Sequence, residues 1–398
     1  MPPTAGPRGA GPGRPLAGLI AAVAIEWTGA TSVLPFLPLY LRQGGASYAL
    51  VGLVMGAFLL ASFVVQYPLG RLSDRIGRRR LVIGGLLLYT AATLGFLLPV
   101  PPVVFILLRA AQGAGAGAVQ VTSQALVADL VPPARQGRAY GLLNGAQMTG
   151  MVVGPVIGSV LFALAPPAVF VSSALGSLGA AAAVVVLVPR LPRPARSLGP
   201  GAPLATNPVV VGVLLASAAI GLLVGMYEAD WSLLMRAKGA TSWEVGLSFT
   251  LFALPLVLLS WPGGWLADHW DRRWLGGAAV LVDAGCAALY PALPSPVTLM
   301  ALGCVEAASV AVGFPALLSL LMQAAGPGAA GRAQGAAGSA QTGASAVGAV
   351  VAGALFTYGT WQPFVGVAVV ATLMALCLPI LWRAAPLGVA RSAGAAPR

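Results

Sequence analysis

Six ionisable side chains lie inside long apolar stretches of the chain, where charged groups are rare. They are Glu26, Arg109, Glu228, Asp230, Asp283 and Glu306. A charge in such a stretch is costly and usually belongs to an ion or substrate pathway. Burial favours the neutral form of a carboxylate, so Glu26 could bind a proton and a cationic substrate in alternation. The structural alternative is a Glu26 satisfied by a neighbouring hydroxyl or by Arg109.

Tryptophans adjoin two of these acids. Trp27 follows Glu26, and Trp231 lies close to Glu228 and Asp230. An indole ring beside a carboxylate could stack on a cationic or aromatic cargo, although Trp231 could equally be an anchor at the membrane interface. Because Glu228 and Asp230 are two residues apart, they point in different directions on a helix, and at most one is expected to face a cavity.

The composition places these groups in a membrane. Of 398 residues, 58% are hydrophobic and 8% are charged, whereas a soluble domain carries about 25% charged residues. A helix needs about 20 apolar residues to span a bilayer, and twelve stretches approach or exceed that length. The fold class is therefore an all-α membrane protein with twelve transmembrane helices. They are predicted over 16–41, 49–69, 81–100, 102–130, 140–164, 169–187, 208–235, 245–266, 275–289, 297–322, 334–356 and 364–382.

The basic residues indicate the orientation. The net charge is +12, but the arginines form short clusters between apolar stretches without interleaved aromatic residues, which disfavours nucleic-acid binding. Eighteen basic residues fall on one side of the predicted spans and three on the other, with Arg109 inside a span. Positive residues concentrate on the cytoplasmic side. We therefore predict a multi-pass inner-membrane protein with both termini in the cytoplasm.

The sequence repeats itself after 194 residues. The stretch that begins at Arg42 aligns with the one that begins at Arg236, and without a gap Gln147 aligns with Gln341. Six spans in each copy imply parallel repeats with the site in the cavity between them, near the midplane. We predict a disordered cytoplasmic N-terminus (1–15), a bundle (16–188), a cytoplasmic linker (189–207), a second bundle (208–383) and a cytoplasmic tail (384–398). Glu306 aligns with Gln112, so it is expected to line the cavity from the second bundle.

Signs of an enzyme are missing from the sequence. There is no phosphate-binding loop, the single histidine, His269, lies between apolar stretches, and the three cysteines lack metal-ligand spacing. We predict no enzyme activity, no metal and no cofactor. The expected partners are a small-molecule substrate, the lipid bilayer and protons as the coupling ion, with the chain acting as a monomer.

Two loop segments carry a recognisable pattern. Gly70-Arg-Leu-Ser-Asp-Arg-Ile-Gly-Arg-Arg-Arg80 resembles the loop signature of the major facilitator superfamily, and 264–273 is a degenerate copy. The resemblance implies the major facilitator fold, two pseudo-symmetric six-helix bundles and alternating access. Asp74 could cap a helix of the other half, and the arginines could pair with Asp129, latching the cytoplasmic face in the outward-open state. The predicted gate comprises Gly70, Asp74, Arg75, Gly77, Arg78, Asp129, Asp268 and Arg272.

Two further segments resemble signatures inside spans of the same family. The stretch 106–117 matches one at Arg109, Gln112 and Gly113. In proton-coupled members that arginine is implicated in proton transfer, and a structural pairing is the alternative. Gly150-Met-Val-Val-Gly-Pro-Val-Ile-Gly158 resembles the signature of the drug:proton antiporter branch, in which small residues allow close helix packing and proline bends the helix. Its residues are Gly150, Gly154, Pro155 and Gly158.

These observations predict proton-coupled efflux of small amphiphilic or cationic compounds. The predicted coupling and substrate residues are Glu26, Trp27, Arg109, Gln112, Glu228, Asp230 and Glu306. For Asp283, in the ninth span, a helix contact and a transport role remain open. Uptake of a small nutrient with protons and export of one dedicated metabolite are the alternatives. A non-transporting receptor would need a signalling domain or a long tail.

Overall fold

The computed structural model describes residues 13–189, 207–325 and 329–383. The side chains of Gly13, Tyr67, Gly70, Arg71, Asp74, Pro133, Ala134 and Ala330 are not described either. Most of the predicted N-terminal segment, linker and C-terminal tail therefore lies outside the described residues. Within them are fourteen α-helices and a short 3-10 turn, Tyr290–Ala292. The helices are α1 (Gly13–Val33), α2 (Leu37–Gln43), α3 (Tyr48–Ile76), α4 (Arg78–Gly95), α5 (Val104–Leu130), α6 (Pro133–Leu164), α7 (Ala168–Leu187), α8 (Pro208–Ala237), α9 (Ser242–Leu258), α10 (Ser260–His269), α11 (Arg272–Leu289), α12 (Pro296–Ala325), α13 (Ala330–Phe356) and α14 (Trp361–Leu381).

Most predicted spans correspond to a helix long and apolar enough to cross a membrane. Ten helical segments of the described chain meet that test, with α1 and α2 counted together, and α9 with α10 forms an eleventh span bent by 48°. The remaining predicted span corresponds to α4, whose 18 residues include three arginines in the first turn. Those arginines lower its hydropathy, so the twelfth span stays a prediction.

The segment predicted as a loop after the second span is largely helical. α3 continues to Ile76, and the chain reverses at Gly77, where φ is +95°. Only glycine adopts that conformation without strain. The signature segment therefore extends the helix beyond the membrane edge predicted at residue 69.

The two halves pack their helices in the same pattern. In the first half, α1 packs against α6 and α7, while α4 packs against α5 and α7. In the second half, α8 packs against α13 and α14, and α11 packs against α12 and α14. Helices that correspond in the repeat thus have corresponding neighbours, as expected for two bundles of the same fold.

The halves meet at the end of the molecule that the arginine pattern places outside. There α3 and α13 approach so closely that a Cβ on Gly52 would lie 2.9 Å from Gly353 Cα. A second contact between the halves joins α6 and α9, where the Thr250 hydroxyl of α9 donates to the Val152 carbonyl of α6 at 2.8 Å. At the other end of the molecule, Asn144 and Gln334 are exposed and line the central cavity. The cavity therefore opens at the end that the arginine pattern predicts to be cytoplasmic.

Candidate functional site

A cavity of about 750 Å³ lies between the halves. Its lining is dominated by aliphatic, methionine and aromatic side chains, but it includes the carboxylates Glu228, Asp283 and Glu306. No lysine, arginine or histidine is among its described lining residues. The cavity is also unequally shared. The first half contributes Leu34, Asn144, Met148 and Met151, and the second half contributes all the rest.

Glu306 is held by two tyrosines. Its Oε1 accepts a hydrogen bond from the Tyr227 hydroxyl at 2.8 Å, and its Oε2 accepts one from the Tyr290 hydroxyl at 2.5 Å. The side chain lies on α12 with only 2% of the residue exposed. Hydroxyl donors on both oxygens fix the carboxylate in place and replace the water it loses on burial.

Asp283 of α11 lies in the same cavity and interacts electrostatically with Glu306. The residue is 3% exposed, and its side chain interacts with that of Ser309. Its Oδ1 has no hydrogen-bond partner within the described part of the chain. A buried oxygen without a partner is costly. Asp283 is therefore the less satisfied member of an acidic pair.

Three aromatic rings surround the acidic pair. The Trp231 and Tyr290 rings meet edge to face with centroids 4.7 Å apart, and Tyr227 lies 6.0 Å from each of them. The Trp231 indole N–H donates to the Ser248 hydroxyl at 2.9 Å, which fixes the ring. Trp231 is 8% exposed and lines the cavity. Trp231 is therefore part of the cavity wall, which favours cargo contact over an interfacial anchor among the two alternatives that the sequence left open.

Glu228 also lines the cavity, and Arg109 of the other half interacts with it electrostatically. Arg109 is 3% exposed and donates to the Gln112 amide oxygen at 3.0 Å, with its guanidinium 4.2 Å above the Phe58 ring. Gln112 in turn donates to the Thr93 hydroxyl at 2.8 Å. Arg109 and Gln112 form a buried network behind the cavity wall instead of lining it.

The remaining predicted coupling residues lie off the cavity. Glu26 is 5% exposed in the first bundle, where it interacts electrostatically with Tyr89, and its Oε2 has no hydrogen-bond partner among the residues described. Trp27 packs against Gly150. Asp230 is fully buried with both oxygens unpartnered in the described structure. Of the neighbours Glu228 and Asp230, only Glu228 lines the cavity, as the helix geometry requires.

The described ion pairs of the predicted gate residues lie within single halves. Arg78 forms an ion pair with Asp129 at 2.8 Å and donates to the Ala125 carbonyl. Arg272 pairs with Asp268 at 3.3 Å. Arg75 is exposed at the end of α3, and Gly77 forms the reversal after it. Gly70 and the Asp74 side chain lie outside the described residues.

The glycines of the predicted antiporter signature all face α1. A Cβ would lie 2.6 Å from Trp27 Cβ if placed on Gly150, and 2.1 Å from the Ser32 carbonyl oxygen if placed on Gly158. On Gly154 it would lie 2.0 Å from Thr31 Oγ1. The Pro155 carbonyl contacts Gly246 of α9. The motif therefore joins α6 both to α1 and to the opposite half.

Four site residues escaped the sequence prediction: Tyr227, Ser248 and Tyr290, and Asp283 for its role. Hydroxyl groups in apolar helices are common, so nothing in their spacing distinguishes them. For Asp283 the repeat offered a signal. A shift of 194 aligns Asp283 with Tyr89 and Glu306 with Gln112. Each acid of the second half therefore stands where the first half has a neutral residue.

Two bundles of mostly membrane-spanning helices, related by a sequence repeat and enclosing a central cavity, define a polytopic transporter. The Major Facilitator Superfamily family model matches the chain over residues 19–229 and 209–397. The chain belongs to this superfamily.

Sequence and structure comparisons agree with that assignment. The chain is 27% identical over 397 aligned residues to the class C tetracycline resistance protein of Escherichia coli, covering 92% of this chain and 96% of that protein. It is 33% identical over 143 residues to an MFS-type transporter of Mycobacterium tuberculosis, and spans only 21% of that protein's length. A bacterial homologue of the human lysosomal transporter Spinster, solved in an inward-facing and occupied conformation, matches with TM-score 0.80 at 15% identity, covering 94% of this chain and 98% of that chain. At that identity the likeness shows the fold alone.

Proposed function

We propose that this transporter exports small amphiphilic or cationic compounds in exchange for protons, by alternating access in the inner membrane. One observation carries the proposal. The cavity between the halves is apolar and aromatic, and its charged lining residues, among those described, are all carboxylates. Such a lining favours a lipophilic cation and disfavours an anionic nutrient. The relatedness to a tetracycline resistance protein supports export.

We further propose that Glu26 is a proton-binding group that does not touch the cargo. It is buried in the first bundle, has an unpartnered oxygen in the described structure and is not part of the cavity lining. Protonation there would change the charge beside Tyr89, which itself interacts with Arg109. Arg109 interacts across the halves with Glu228. This series of electrostatic interactions would connect the proton to the cargo cavity.

The test uses purified protein in liposomes, with a panel of fluorescent cations and an imposed pH gradient. We expect cations to accumulate in liposomes with an acidic interior when the cytoplasmic face is outside, because inward cargo movement is then coupled to proton exit. A flux in wild-type protein that ignores the gradient contradicts proton coupling. Cargo that moves in the same direction as the protons instead indicates the uptake alternative.

Glu26→Gln separates proton coupling from cargo binding. We expect it to abolish gradient-driven accumulation while preserving exchange of labelled for unlabelled cargo, because exchange needs no net proton transfer. Glu244→Gln is the matched control, since Glu244 lies at the start of α9 away from the cavity lining and glutamine retains the capping geometry with Thr241. Wild-type proton coupling in Glu26→Gln excludes the proposed role.

A further inference from the structure

The acidic pair has no counterpart in the first bundle. Under the repeat, Asp283 and Glu306 align with Tyr89 and Gln112, while Tyr227 and Tyr290 align with Val33 and Phe96. The first bundle therefore lacks both acids and both of the tyrosines that bond to Glu306. The two halves have the same fold, but the acidic pair is present only in the second half.

Both members of the pair are buried carboxylates. Asp283 and Glu306 are 3% and 2% exposed, and they interact with each other. Two carboxylates buried in one apolar cavity cannot both stay ionised without a nearby cation or bound protons. No basic side chain is among the described residues that line the cavity. Asp283 Oδ1, unpartnered within the described structure, is available to a ligand in the cavity.

The surroundings favour an organic cation over a metal ion. Magnesium and calcium require six or more oxygen ligands, and no group of three or more His, Cys, Asp or Glu in the described chain could hold a metal. Aromatic rings instead flank the acids, with Trp231 fixed by Ser248 and packed against Tyr290. Aromatic faces beside a carboxylate attract a cation that carries apolar substituents.

We propose that the cargo cation is recognised by the second bundle alone, at a site formed by Asp283, Glu306, Tyr227, Trp231 and Tyr290. The first bundle supplies an apolar cover through Leu34, Met148 and Met151. The inference rests on the proposed function, since it specifies where and how the exported cation binds. It also predicts that substrate range is encoded in residues 208–383.

The test is equilibrium binding of tetraphenylphosphonium to the purified full chain in lipid nanodiscs, without a proton gradient. Tetraphenylborate, an anion of nearly the same shape, is the ligand control. We expect wild-type protein to bind the cation and not the anion. Asp283→Asn and Glu306→Gln are each expected to weaken cation binding about tenfold or more, the effect of losing a charged partner.

Tyrosine variants test whether the hydrogen bonds to Glu306 contribute to cation binding. Tyr227→Phe removes a hydrogen bond to Glu306 with little change of shape, and it is expected to weaken binding about fivefold. It also provides a test if an acid variant fails to fold. Tyr358→Phe is the matched control, because Tyr358 is 77% exposed and is not part of the cavity lining, so the affinity should be unaltered.

Wild-type affinity in a folded Asp283→Asn/Glu306→Gln double variant would overturn the inference, as would equal binding of cation and anion. Measurements of binding and of flux distinguish failure of this inference from failure of the proposed function. Specific binding without gradient-driven flux contradicts the proposed function alone. Gradient-driven flux that persists in the double variant contradicts the site alone.

Discussion

At the scale of single residues, burial and partners distinguish side chains that look alike in the sequence. Glu26, Asp230 and Glu306 all lie within apolar stretches, but Glu306 alone of these three lines the described cavity. Glu306 also has two hydroxyl donors, whereas both Asp230 oxygens lack partners among the described groups. A carboxylate's place on its helix determines whether it can reach cargo, and its hydrogen bonds determine how its charge is stabilised.

A carboxylate outside the spans illustrates the same rule. Asp271 caps α11 through the Arg273 N–H at 3.0 Å, and its Oδ2 accepts from the Arg273 guanidinium at 2.6 Å. The hydrogen bonds from the Arg273 side chain lower the pKa of Asp271 below its ordinary value of 3.8. A lowered pKa means that the ionised form is the one that stabilises the fold.

We predict that Asp271→Ala lowers the free energy of unfolding by about 1 kcal/mol, the usual effect of losing a helix cap. This stabilisation is present above the ordinary pKa of 3.8 and is lost as the pH falls below it. The measurement is the apparent melting temperature in detergent at pH 7 and at pH 3. Asp271→Asn keeps the cap without the charge and should lie between the two proteins. A deficit of equal size at both pH values would contradict the charge argument.

At the scale of helices, glycines determine which elements can touch. Gly150, Gly154 and Gly158 recur every four residues along one face of α6, and each would place a Cβ within 3 Å of α1. The sequence predicted close packing from this spacing. It could not name the partner helix, because many helices carry small residues at such intervals.

We predict that Gly154→Ala destabilises the protein by about 1 to 3 kcal/mol, the usual range for overpacking. The new methyl group would lie 2.0 Å from Thr31 Oγ1 and 2.7 Å from the Thr28 carbonyl oxygen. Gly145→Ala, on the same helix, is the control because its Cβ would meet nothing within 4 Å. Both variants are compared by melting temperature and by cation flux. The packing role fails if Gly154→Ala and Gly145→Ala behave alike.

Helix boundaries were harder to predict than helix positions. The second predicted span ends at residue 69, but α3 continues through Pro68 to Ile76. The eighth predicted span is one apolar stretch, yet it is divided into α9 and α10 with a bend of 48°. Pro255 lacks an N–H and weakens α9 one turn before the break. Hydropathy measures transfer into lipid and contains little information about such bends.

At the scale of the whole molecule, contact between the halves at one end leaves the central cavity open at the other end. The backbones of α3 and α13 touch where Gly52 faces Gly353 and the Ala349 carbonyl. Alternating access requires this contact to separate when the opposite end closes. The predicted latch of the loop signature would act in that other state. Its described ion pairs lie within single halves, so the latch stays a prediction.

We predict that Gly52→Val favours the outward-open form, because its Cβ would lie 2.5 Å from the Ala349 carbonyl oxygen. A shift of about 1.4 kcal/mol changes the ratio of the two states about tenfold. The readout is labelling of Leu34→Cys, in the cavity wall, by a membrane-impermeant maleimide added outside. The background has Cys286, Cys304 and Cys377 replaced.

Gly84→Val is the control, since a Cβ on Gly84 meets nothing within 4 Å. The outer contact is not a gate if Gly52→Val and Gly84→Val give the same labelling rate.

The sequence alone determined the membrane class, the approximate position of the spans, the two-fold repeat and the superfamily. These depend on local composition and on spacing along the chain, which survive without knowledge of contacts. It also identified Glu228 and Glu306, because a charge within an apolar helix is conspicuous wherever it points.

Only the tertiary structure decided which charges share a cavity. It placed Glu26 in the interior of the first bundle. It also brought Asp283 and Glu306 into one cavity, with two tyrosines bonded to Glu306 and Trp231 in the cavity wall. The reason is that the direction of a side chain depends on its rotation around the helix axis. A difference of one residue turns a side chain by 100° around its helix, so whether it faces cargo, lipid or bundle core depends on how the helices pack.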